Sequence, residues 1–244
     1  MNRLPISPSR IQETMGRLAY FHGWPGDSLE RLAMGAKLIS LARNCMIARK
    51  GERLQQLYVV VSGQIRLFIP LPNNMERVVA LVGQGETLGE SCLVLDESCP
   101  YHAITGKDSH LLVVDSLVFR REIGSRIELT RMALERVSRR LMETLRDTEI
   151  CAQRSSVQRV ASYLLLHRPI DAATAFTFQL PARKQDVAAK LNLTQETFSR
   201  VLSFLDKQGV IHVSGGQIKV ADSEKLGQIT TMKDDREAEQ AASI

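Results

Sequence analysis

The hydrophobic pattern of residues 181–212 predicts two helices joined by a short turn. In the second helix, four apolar residues recur at the spacing of one helix face, and we expect them to pack inward: Phe198, Val201, Leu202 and Leu205. Polar residues occupy a different face, where positions 195 and 199, and positions 196 and 200, lie one turn apart. The second face is therefore expected to remain in solvent.

The polar face carries side chains that can address base edges in a DNA major groove. An arginine such as Arg200 can bond O6 and N7 of guanine together, a glutamate such as Glu196 can accept from N4 of cytosine, and Ser199 is permissive. Alternatively, Glu196 and Arg200 form an ordinary surface ion pair, worth roughly a few tenths of a kcal/mol. In both interpretations this is a binding surface and not a catalytic one.

Earlier in the chain, residues 47–114 consist of short β-rich runs separated by turns. The runs are LYVVV at 57–61, IRLFI at 65–69, RVVALV at 77–82 and HLLVVD at 110–115, with turns at Ser62–Gly63, Pro72–Asn74 and Gly83–Gly85. Short strands at regular spacing predict a sandwich or barrel and not a parallel sheet with crossovers.

Residues 1–45 are predicted to form a loose arm and then a short helix. Asp27 or Ser28 would cap that helix, which includes Leu29, Leu32, Ala33 and Leu38.

A long helix is predicted from Ile127 to Cys151. Residues repeat every seven positions at Ile127, Leu134, Leu141 and Thr148, with Thr130, Val137, Thr144 and Cys151 offset by three. So narrow a stripe, flanked by Arg131, Arg136, Arg139 and Arg140, favours pairing with a second copy of the helix. A helix lying on the core of its own domain is the alternative. The expected dimer interface comprises Ile127, Leu134, Val137, Leu141, Leu145 and Thr148.

The remaining elements form the C-terminal part of the chain. A helix is predicted at 156–167 after the polar hinge Gln153–Ser155, and the two-helix unit then begins behind Pro181. Asn192 in its turn tolerates a left-handed backbone, Thr194 can cap the second helix and Gly209 can end it. The runs at 210–213 and 217–220 predict a β-hairpin wing. The polar tail from Lys233 is expected to be disordered. The predicted domains are 1–126, a sensor β-roll; 127–152, a dimerisation helix; 153–230, a winged helix-turn-helix; and 231–244, the tail.

Composition excludes several classes of protein. Hydrophobic residues make up 44% and charged residues 24% of the 244 residues, as in an ordinary globular chain. The net charge of +5 and the pI of about 9.2 permit nucleic-acid binding. Because no run is long enough to cross a bilayer and the N-terminus lacks a signal-peptide core, we expect a cytoplasmic protein that does not associate with a membrane. Four cysteines lack zinc spacing and are expected to be buried thiols in a reducing cytosol, with a Cys92/Cys99 redox pair as the alternative.

This order of β-roll, long helix and winged helix-turn-helix resembles the CRP/FNR superfamily of bacterial transcription regulators. Two blocks carry the resemblance: KGERLQQLYVVVSGQIRLFI at 50–69 with GQGETLGE at 83–90, and LTQETFSRVLSFLDKQGVI at 193–211. The resemblance covers roughly residues 20–228. It implies an α+β fold with a cyclic-nucleotide-binding-like double-stranded β-helix. It also implies a homodimer that binds double-stranded DNA and RNA polymerase and regulates transcription.

Within the superfamily, Glu196 to Arg200 match the Glu-x-x-Ser-Arg signature of the FNR branch, and the wider segment is similar to the DNR-type regulators of denitrification, which respond to nitric oxide. The resemblance implies an activator that reads a TTGAT…ATCAA-type palindrome, with half-sites about one helical turn apart. The expected DNA-binding residues are Arg183, Lys184, Thr194, Gln195, Glu196, Thr197, Ser199 and Arg200. Arg183 and Lys184 are expected to contact phosphate.

The resemblance also implies an effector pocket in the roll, formed by Leu88, Gly89, Glu90, Ser91, Tyr101, His102 and Thr144. Members that bind cyclic AMP hold its ribose with a Gly-Glu pair, matched by Gly89 and Glu90, and its phosphate with an arginine. Tyr101 replaces that arginine, and Leu145 stands where a serine follows the adenine-contacting threonine. A buried phosphate without a counter-charge is unfavourable, so we expect no cyclic AMP binding.

An iron–sulfur cluster and haem are the other cofactors to consider for a member of this superfamily. The cluster needs four thiolates, and no cysteine precedes Cys45, so it is not expected. Haem is the cofactor that the DNR likeness implies. The candidate axial ligands are His22, His102, His110, His167 and His212, of which His22 lies nearest the histidine-rich region of those proteins. An unliganded pocket or one for an unknown small molecule is the alternative.

Two other functions remain as alternatives: a cupin-type metal enzyme and a cyclic-nucleotide-binding regulatory protein that controls another protein. The isolated His102 and His110 do not make a metal site, and no nucleophile elbow, phosphate loop or HExxH motif is present in the sequence. We therefore expect no enzymatic activity. The hypothesis for regulation is that a signal in the roll alters the packing of the paired long helices and re-aims the DNA-reading helices.

Overall fold

The computed structural model describes residues 2–72, 76–153, 155–171 and 174–231. The chain divides into two compact units, Met1–Leu141 and Met142–Ile244, and the division falls within the long helix. The predicted polar tail from Lys233, Asn73 and Asn74 of one predicted turn, and Arg154 of the predicted hinge lie outside the described residues. Within the described ranges, no helix combines the length and hydrophobicity required to span a membrane.

The first unit contains nine strands and four complete helices in its described part. The strands are β1 (Asn2–Arg3), β2 (Ala36–Leu41), β3 (Met46–Ala48), β4 (Gln56–Ser62), β5 (Ile65–Pro70), β6 (Glu76–Val82), β7 (Thr87–Leu88), β8 (His102–Thr105) and β9 (Ser109–Asp115). The helices are α1 (Pro8–Arg17), α2 (Gly26–Met34), α3 (Glu90–Leu95) and α4 (Ser116–Ser125), and a 3-10 helix occupies Ala19–Phe21. The long helix α5 (Ile127–Ala152) begins in this unit and ends in the next.

Antiparallel strands form two sheets, in the orders β1-β2-β9-β4-β7 and β3-β8-β5-β6. Successive side chains of a strand point to opposite faces of the sheet, so the side chains of β9 are divided between two cores. Leu111 and Val113 lie in a cluster shared with the second sheet, whereas Leu112 and Val114 lie in a cluster shared with the N-terminal helices. The continuous apolar run that predicted this strand therefore reflects burial on both faces. The predicted α+β fold with a β-roll is confirmed.

The predicted loose arm at the N-terminus is wrong. β1 pairs with β2, and α1 begins at Pro8 with the Ser7 side chain accepting from the Arg10 N–H. Ile11 and Met15 are buried in the apolar cluster beneath the first sheet. A serine followed by proline at the first helical position is a recognised start signal, and it accounts for this helix.

The capping residue predicted for the next helix is also wrong. α2 begins at Gly26 and its N-cap position is Pro25, so Asp27 and Ser28 lie inside the first turn. Asp27 instead forms ion pairs with Arg31 and Arg126. Leu38, expected in this helix, belongs to β2.

The second unit contains the C-terminal end of α5 and the elements that follow. These are α6 (Ser156–Leu166), β10 (Phe176–Gln179), α7 (Lys184–Lys190), α8 (Gln195–Lys207), β11 (Ile211–Ser214), β12 (Gln217–Val220) and α9 (Ser223–Thr231). The predicted wing is present, but it has three strands in the order β10-β12-β11, since β10 pairs along the other edge of β12. Ser155 and Gln158 form a capping box that fixes the start of α6.

Asn192 has the left-handed backbone predicted for the turn between α7 and α8, with φ of 57°. We expect Asn192→Ala to weaken the folded turn by about 1 kcal/mol, because a β-carbon without asparagine's polar group disfavours this conformation. Asn192→Gly is the matched control and should retain stability. Amide hydrogen exchange of α8 measures the effect, and equal protection in the alanine and glycine variants would contradict it.

Candidate DNA-binding surface and sensor site

The orientation of α8 is fixed by its apolar face. Phe198, Val201, Leu202 and Leu205 are all buried, as the spacing predicted. Thr194 caps the helix, with its Oγ1 accepting from the Thr197 N–H at 3.1 Å. Arg159 of α6 donates to the Asn192 carbonyl at 3.3 Å, which ties the preceding turn to a neighbouring helix. The helix is thus anchored along its length and at its N-terminus.

The opposite face of α8 presents polar groups to solvent. Gln195, Glu196 and Arg200 are exposed, and Ser199 is half-buried. Arg200 forms with Glu196 the i,i+4 ion pair that was the alternative to base contacts. The Thr197 hydroxyl lies 2.9 Å from the Thr194 hydroxyl and so takes part in the cap. The structure therefore brings the predicted polar residues together on one face, and their contacts with DNA stay a prediction.

Two basic residues precede this face at the start of α7. Arg183 is the N-cap residue and is exposed, and Lys184 is the first helical residue and is half-buried. Exposed Lys219 lies on the wing strand β12. Positive side chains therefore occur on the helix-turn-helix and on the wing, as a phosphate-binding surface requires.

In the first unit, Gly89 is the N-cap residue of α3 and Glu90 is its first residue. Gly89 has φ of 95°, and a β-carbon at this position would approach the Gln56 carbonyl oxygen to 3.2 Å, so glycine is needed on two grounds. Glu90 is buried, and its carboxylate accepts from the Tyr20 hydroxyl at 2.6 Å and from the Thr87 hydroxyl at 3.2 Å. The polar group that was expected to hold an effector is therefore already bound within the chain.

Two arginines of α5 complete this arrangement. The Arg136 guanidinium lies 4.4 Å from the centre of the Tyr20 ring, a cation–π contact, and Arg140 donates to the Thr87 carbonyl at 2.9 Å. Burial, followed by the charge of Glu90, raises the pKa of Tyr20 well above its ordinary value, so this hydroxyl remains a donor. The sequence pattern singled out both arginines without connecting them to Glu90, and it gave no signal for Tyr20 or Thr87.

The other predicted pocket residues differ in burial and in the groups that they contact. Leu88 is buried, and Tyr101 packs against the same apolar cluster with its pKa raised chiefly by burial. The Gly89 backbone is among the groups that lower the pKa of Tyr101, against the larger effect of burial. Ser91 is exposed, and the His102 ring lies against the Phe68 ring with 5.2 Å between centres and 33° between planes. Thr144 is exposed on α5 within the second unit, and its role stays a prediction.

The stripe predicted along α5 is largely exposed. Relative exposure is 80% for Ile127, 66% for Leu134, 38% for Val137, 58% for Leu141 and 54% for Leu145, and Thr148 is also exposed. By contrast, Leu129 and Ala133 are buried, so they attach the helix to its own unit. The helix therefore has a covered face and an uncovered apolar face, a pattern that needs an explanation.

The five histidines all lie in the described part of the chain, and none is buried. His22, His110 and His212 are exposed. His102 Nδ1 accepts from the Lys50 N–H at 3.3 Å, and His167 Nδ1 lies 2.9 Å from the Tyr163 carbonyl. A haem site requires an axial ligand within an apolar pocket, and these surroundings do not fit one. Among the described residues, no group of three or more His, Cys, Asp or Glu side chains could hold a metal ion.

Comparison with known proteins agrees with this architecture. Residues 38–126 match the cyclic nucleotide-binding domain, and residues 158–229 match the Crp-like helix-turn-helix domain. The chain is 29% identical over 184 residues to the cyclic AMP receptor protein of Thermus thermophilus, covering 74% of this chain and 82% of that protein. It is 28% identical over 172 residues to the nitrogen fixation regulation protein FixK of Bradyrhizobium diazoefficiens, covering 69% of this chain and 71% of that protein.

Among solved structures, FixK2 from Bradyrhizobium japonicum has the same fold. It aligns with a TM-score of 0.69 and 24% sequence identity, covering 82% of this chain and 99% of that chain. The β-roll and helix-turn-helix described above thus occur together in a solved structure.

The hydroxyl of Tyr20 should contribute measurably to the stability of the sensor unit. We expect Tyr20→Phe to lower the free energy of unfolding by about 1–3 kcal/mol, because the buried Glu90 carboxylate loses a donor. Urea unfolding followed by the fluorescence of Trp24, the single tryptophan, provides the measurement. Tyr58→Phe is the control, since that hydroxyl makes only a 3.4 Å bond to Gln56. Equal losses in the two variants would refute the assignment.

Proposed function

We propose a DNA-reading function for this chain, which belongs to the CRP/FNR family of transcription regulators. The chain binds double-stranded DNA as a homodimer and reads a two-fold-symmetric site of the TTGAT…ATCAA type. The observation that carries the proposal is the anchored α8, which buries its apolar face and presents Glu196, Ser199 and Arg200 on the other. The same three residues carry the likeness to the FNR branch.

The ion pair between Glu196 and Arg200 does not oppose this function. An exposed i,i+4 pair is worth roughly 0.2–0.5 kcal/mol, whereas a bidentate contact with the correct base discriminates by about 1–3 kcal/mol. The free energy lost by breaking the pair is therefore small beside that of the hydrogen bonds formed with DNA. The pair also holds Arg200 near Glu196, so both groups reach neighbouring bases from one helix face.

Dimerisation is supported by the exposed stripe along α5. Leu134 and Leu141 are separated by seven residues and lie well exposed, while a different face of the same helix is buried. Pairing of this stripe with its copy would cover it and would supply the two-fold axis that a palindromic site demands. We place the protein in the cytoplasm, where it meets DNA and RNA polymerase, and we assign it the role of an activator.

For the signal, we propose a small molecule or gas other than cyclic AMP. Glu90 is already hydrogen-bonded to Tyr20, and Tyr101 stands where the likeness requires a phosphate-binding arginine. In addition, Trp24 Nε1 and Arg136 Nη1 are buried without a hydrogen-bond partner among the described residues. Because such donors are unfavourable when left unsatisfied, they favour an effector that carries acceptor atoms. No step of this proposal uses haem, since the histidines do not fit it.

DNA binding should depend on Arg200 in a sequence-specific way. We expect Arg200→Ala and Glu196→Ala each to reduce discrimination between the TTGAT…ATCAA site and a site with one altered base pair by about 1–3 kcal/mol. Lys184→Ala should instead weaken binding to all sequences about equally and make the salt dependence shallower. Lys207→Ala, at the far end of α8, is the matched control and should preserve discrimination.

Competition gel-shift assays at fixed salt test this set of variants. If the wild-type chain does not distinguish the palindrome from unrelated DNA, the proposed function fails.

The exposed stripe gives a separate prediction about assembly. Leu134→Asp should raise the dimer dissociation constant about tenfold or more, because it places a charge in the apolar seam. Leu117→Asp is the matched control: Leu117 is 74% exposed and lies on α4, outside the stripe. Analytical ultracentrifugation measures both. A Leu134→Asp variant that remains as dimeric as the control would exclude this face as the interface.

A further inference from the structure

Two of the four cysteines form a close pair beside the sensor site. Cys92 lies in α3, and Cys99 follows a tight turn in which Asp96 adopts φ of 54°. Both are free thiols, and each is the largest influence on the pKa of the other. They are 7% and 1% exposed and belong to the same apolar cluster.

The position of Cys99 is fixed by its backbone. Its N–H donates to the Glu52 carbonyl at 2.7 Å, and its carbonyl accepts from the Gly51 N–H at 2.8 Å. Its thiol also reaches the Tyr101 carbonyl at 3.1 Å. The Glu97 N–H bonds to the Cys92 carbonyl at 3.1 Å, which closes the turn between the two cysteines. These bonds fix the backbone of the turn that carries the two cysteines.

The two sulfurs are not equivalent. Hydrogen bonding from Cys99 is the chief cause that lowers the pKa of the Cys92 thiol to about 7, and the Tyr101 side chain adds to it. The same interaction raises the pKa of the Cys99 thiol. The Cys92 thiol is therefore the more acidic of the two, and at 7% exposure it is also the less buried, which makes it the expected nucleophile, whereas Cys99 retains its proton.

We propose that Cys92 and Cys99 are an oxidisable dithiol whose oxidant is a hydroperoxide of the size of hydrogen peroxide. The Cys92 thiolate attacks one peroxide oxygen, the O–O bond breaks, and hydroxide leaves, which gives a sulfenic acid at Cys92. Cys99 then attacks that sulfur, its proton goes to the departing oxygen, and water is released as the disulfide forms. The two thiols lose two electrons in total, and the peroxide becomes two molecules of water.

The disulfide would join the two segments that carry the candidate effector residues. Cys92 lies two residues after Glu90 in α3, and Cys99 lies two residues before Tyr101. The Cys99 thiol donates to the Tyr101 carbonyl at 3.1 Å, so oxidation of the pair would remove a hydrogen bond at a candidate effector residue directly. The dithiol chemistry belongs to the sensor unit and does not depend on DNA binding.

The experiment treats the reduced, full-length protein with one equivalent of hydrogen peroxide and then blocks the remaining thiols. A protease that cleaves after glutamate cuts at Glu90, Glu97 and Glu122, and thereby separates the cysteines into peptides 91–97 and 98–122. We expect mass spectrometry to find these two peptides joined by a disulfide, with Cys45 and Cys151 still blocked as thiols. Peptides joined through Cys45 or Cys151, or oxidation spread evenly over four cysteines, would overturn the proposal.

Single variants then assign the roles. In Cys99→Ser, a sulfenic acid should persist at Cys92 and be trapped by dimedone, whereas in Cys92→Ser dimedone should not label Cys99. Cys45→Ser and Cys151→Ser are controls and should form the same disulfide as the wild-type chain. Labelling of Cys99 in place of Cys92 would reverse the assignment and contradict the proposal.

A further measurement does not rely on the folding of variants. In the native wild-type protein, Cys92 should react with peroxide about fivefold faster than an ordinary thiol, because a larger thiolate fraction outweighs the lower nucleophilicity of a more acidic thiol. This preference for Cys92 over Cys45 should vanish in urea, where the hydrogen bonds are lost. A preference that survives unfolding would show that the fold does not create it.

Discussion

Burial of one face of α8 is the constraint on which the DNA-reading surface depends. Phe198, Val201 and Leu205 are buried in the second unit, so the helix cannot rotate about its axis without exposing them. Rotation is further opposed at the N-terminus by the Thr194 cap and the left-handed turn at Asn192. A fixed helix has a fixed outer face, and recognition of bases requires that face to be preorganised.

The polar contacts of the first unit are centred on a buried carboxylate. Glu90 receives hydroxyl donors from Tyr20 and Thr87, and Arg136 and Arg140 of the long helix contact the same two residues. A change in this polar network would therefore be felt at α5, on which the exposed stripe lies. Cys92 follows Glu90 by two residues, and the Cys99 thiol donates to the Tyr101 carbonyl. Ligand chemistry and thiol chemistry thus converge on one short segment.

Local patterns allowed much of this structure to be predicted. The period of α8, the asparagine in its turn and the threonine cap each depend on residues within a few positions, and all three were confirmed. The start of α1 had an equally local signal in Ser7 and Pro8, but the polar composition of the arm concealed it. The third wing strand, β10, is short and follows a loop, so its pairing with β12 is decided by tertiary contacts.

The polar network of the sensor could not be predicted in this way. Tyr20 and Glu90 are 70 positions apart, and no spacing rule relates a tyrosine in a 3-10 helix to a glutamate within the β-roll. The DNA-reading face is the opposite case, since its residues are neighbours on one helix. The most direct test of base reading by α8 is methylation interference at guanine N7 on a TTGAT…ATCAA duplex. We expect methylation of the guanine in each half-site to block binding, at two positions about one helical turn apart. Binding that tolerates methylation at both guanines would contradict a major-groove contact by Arg200.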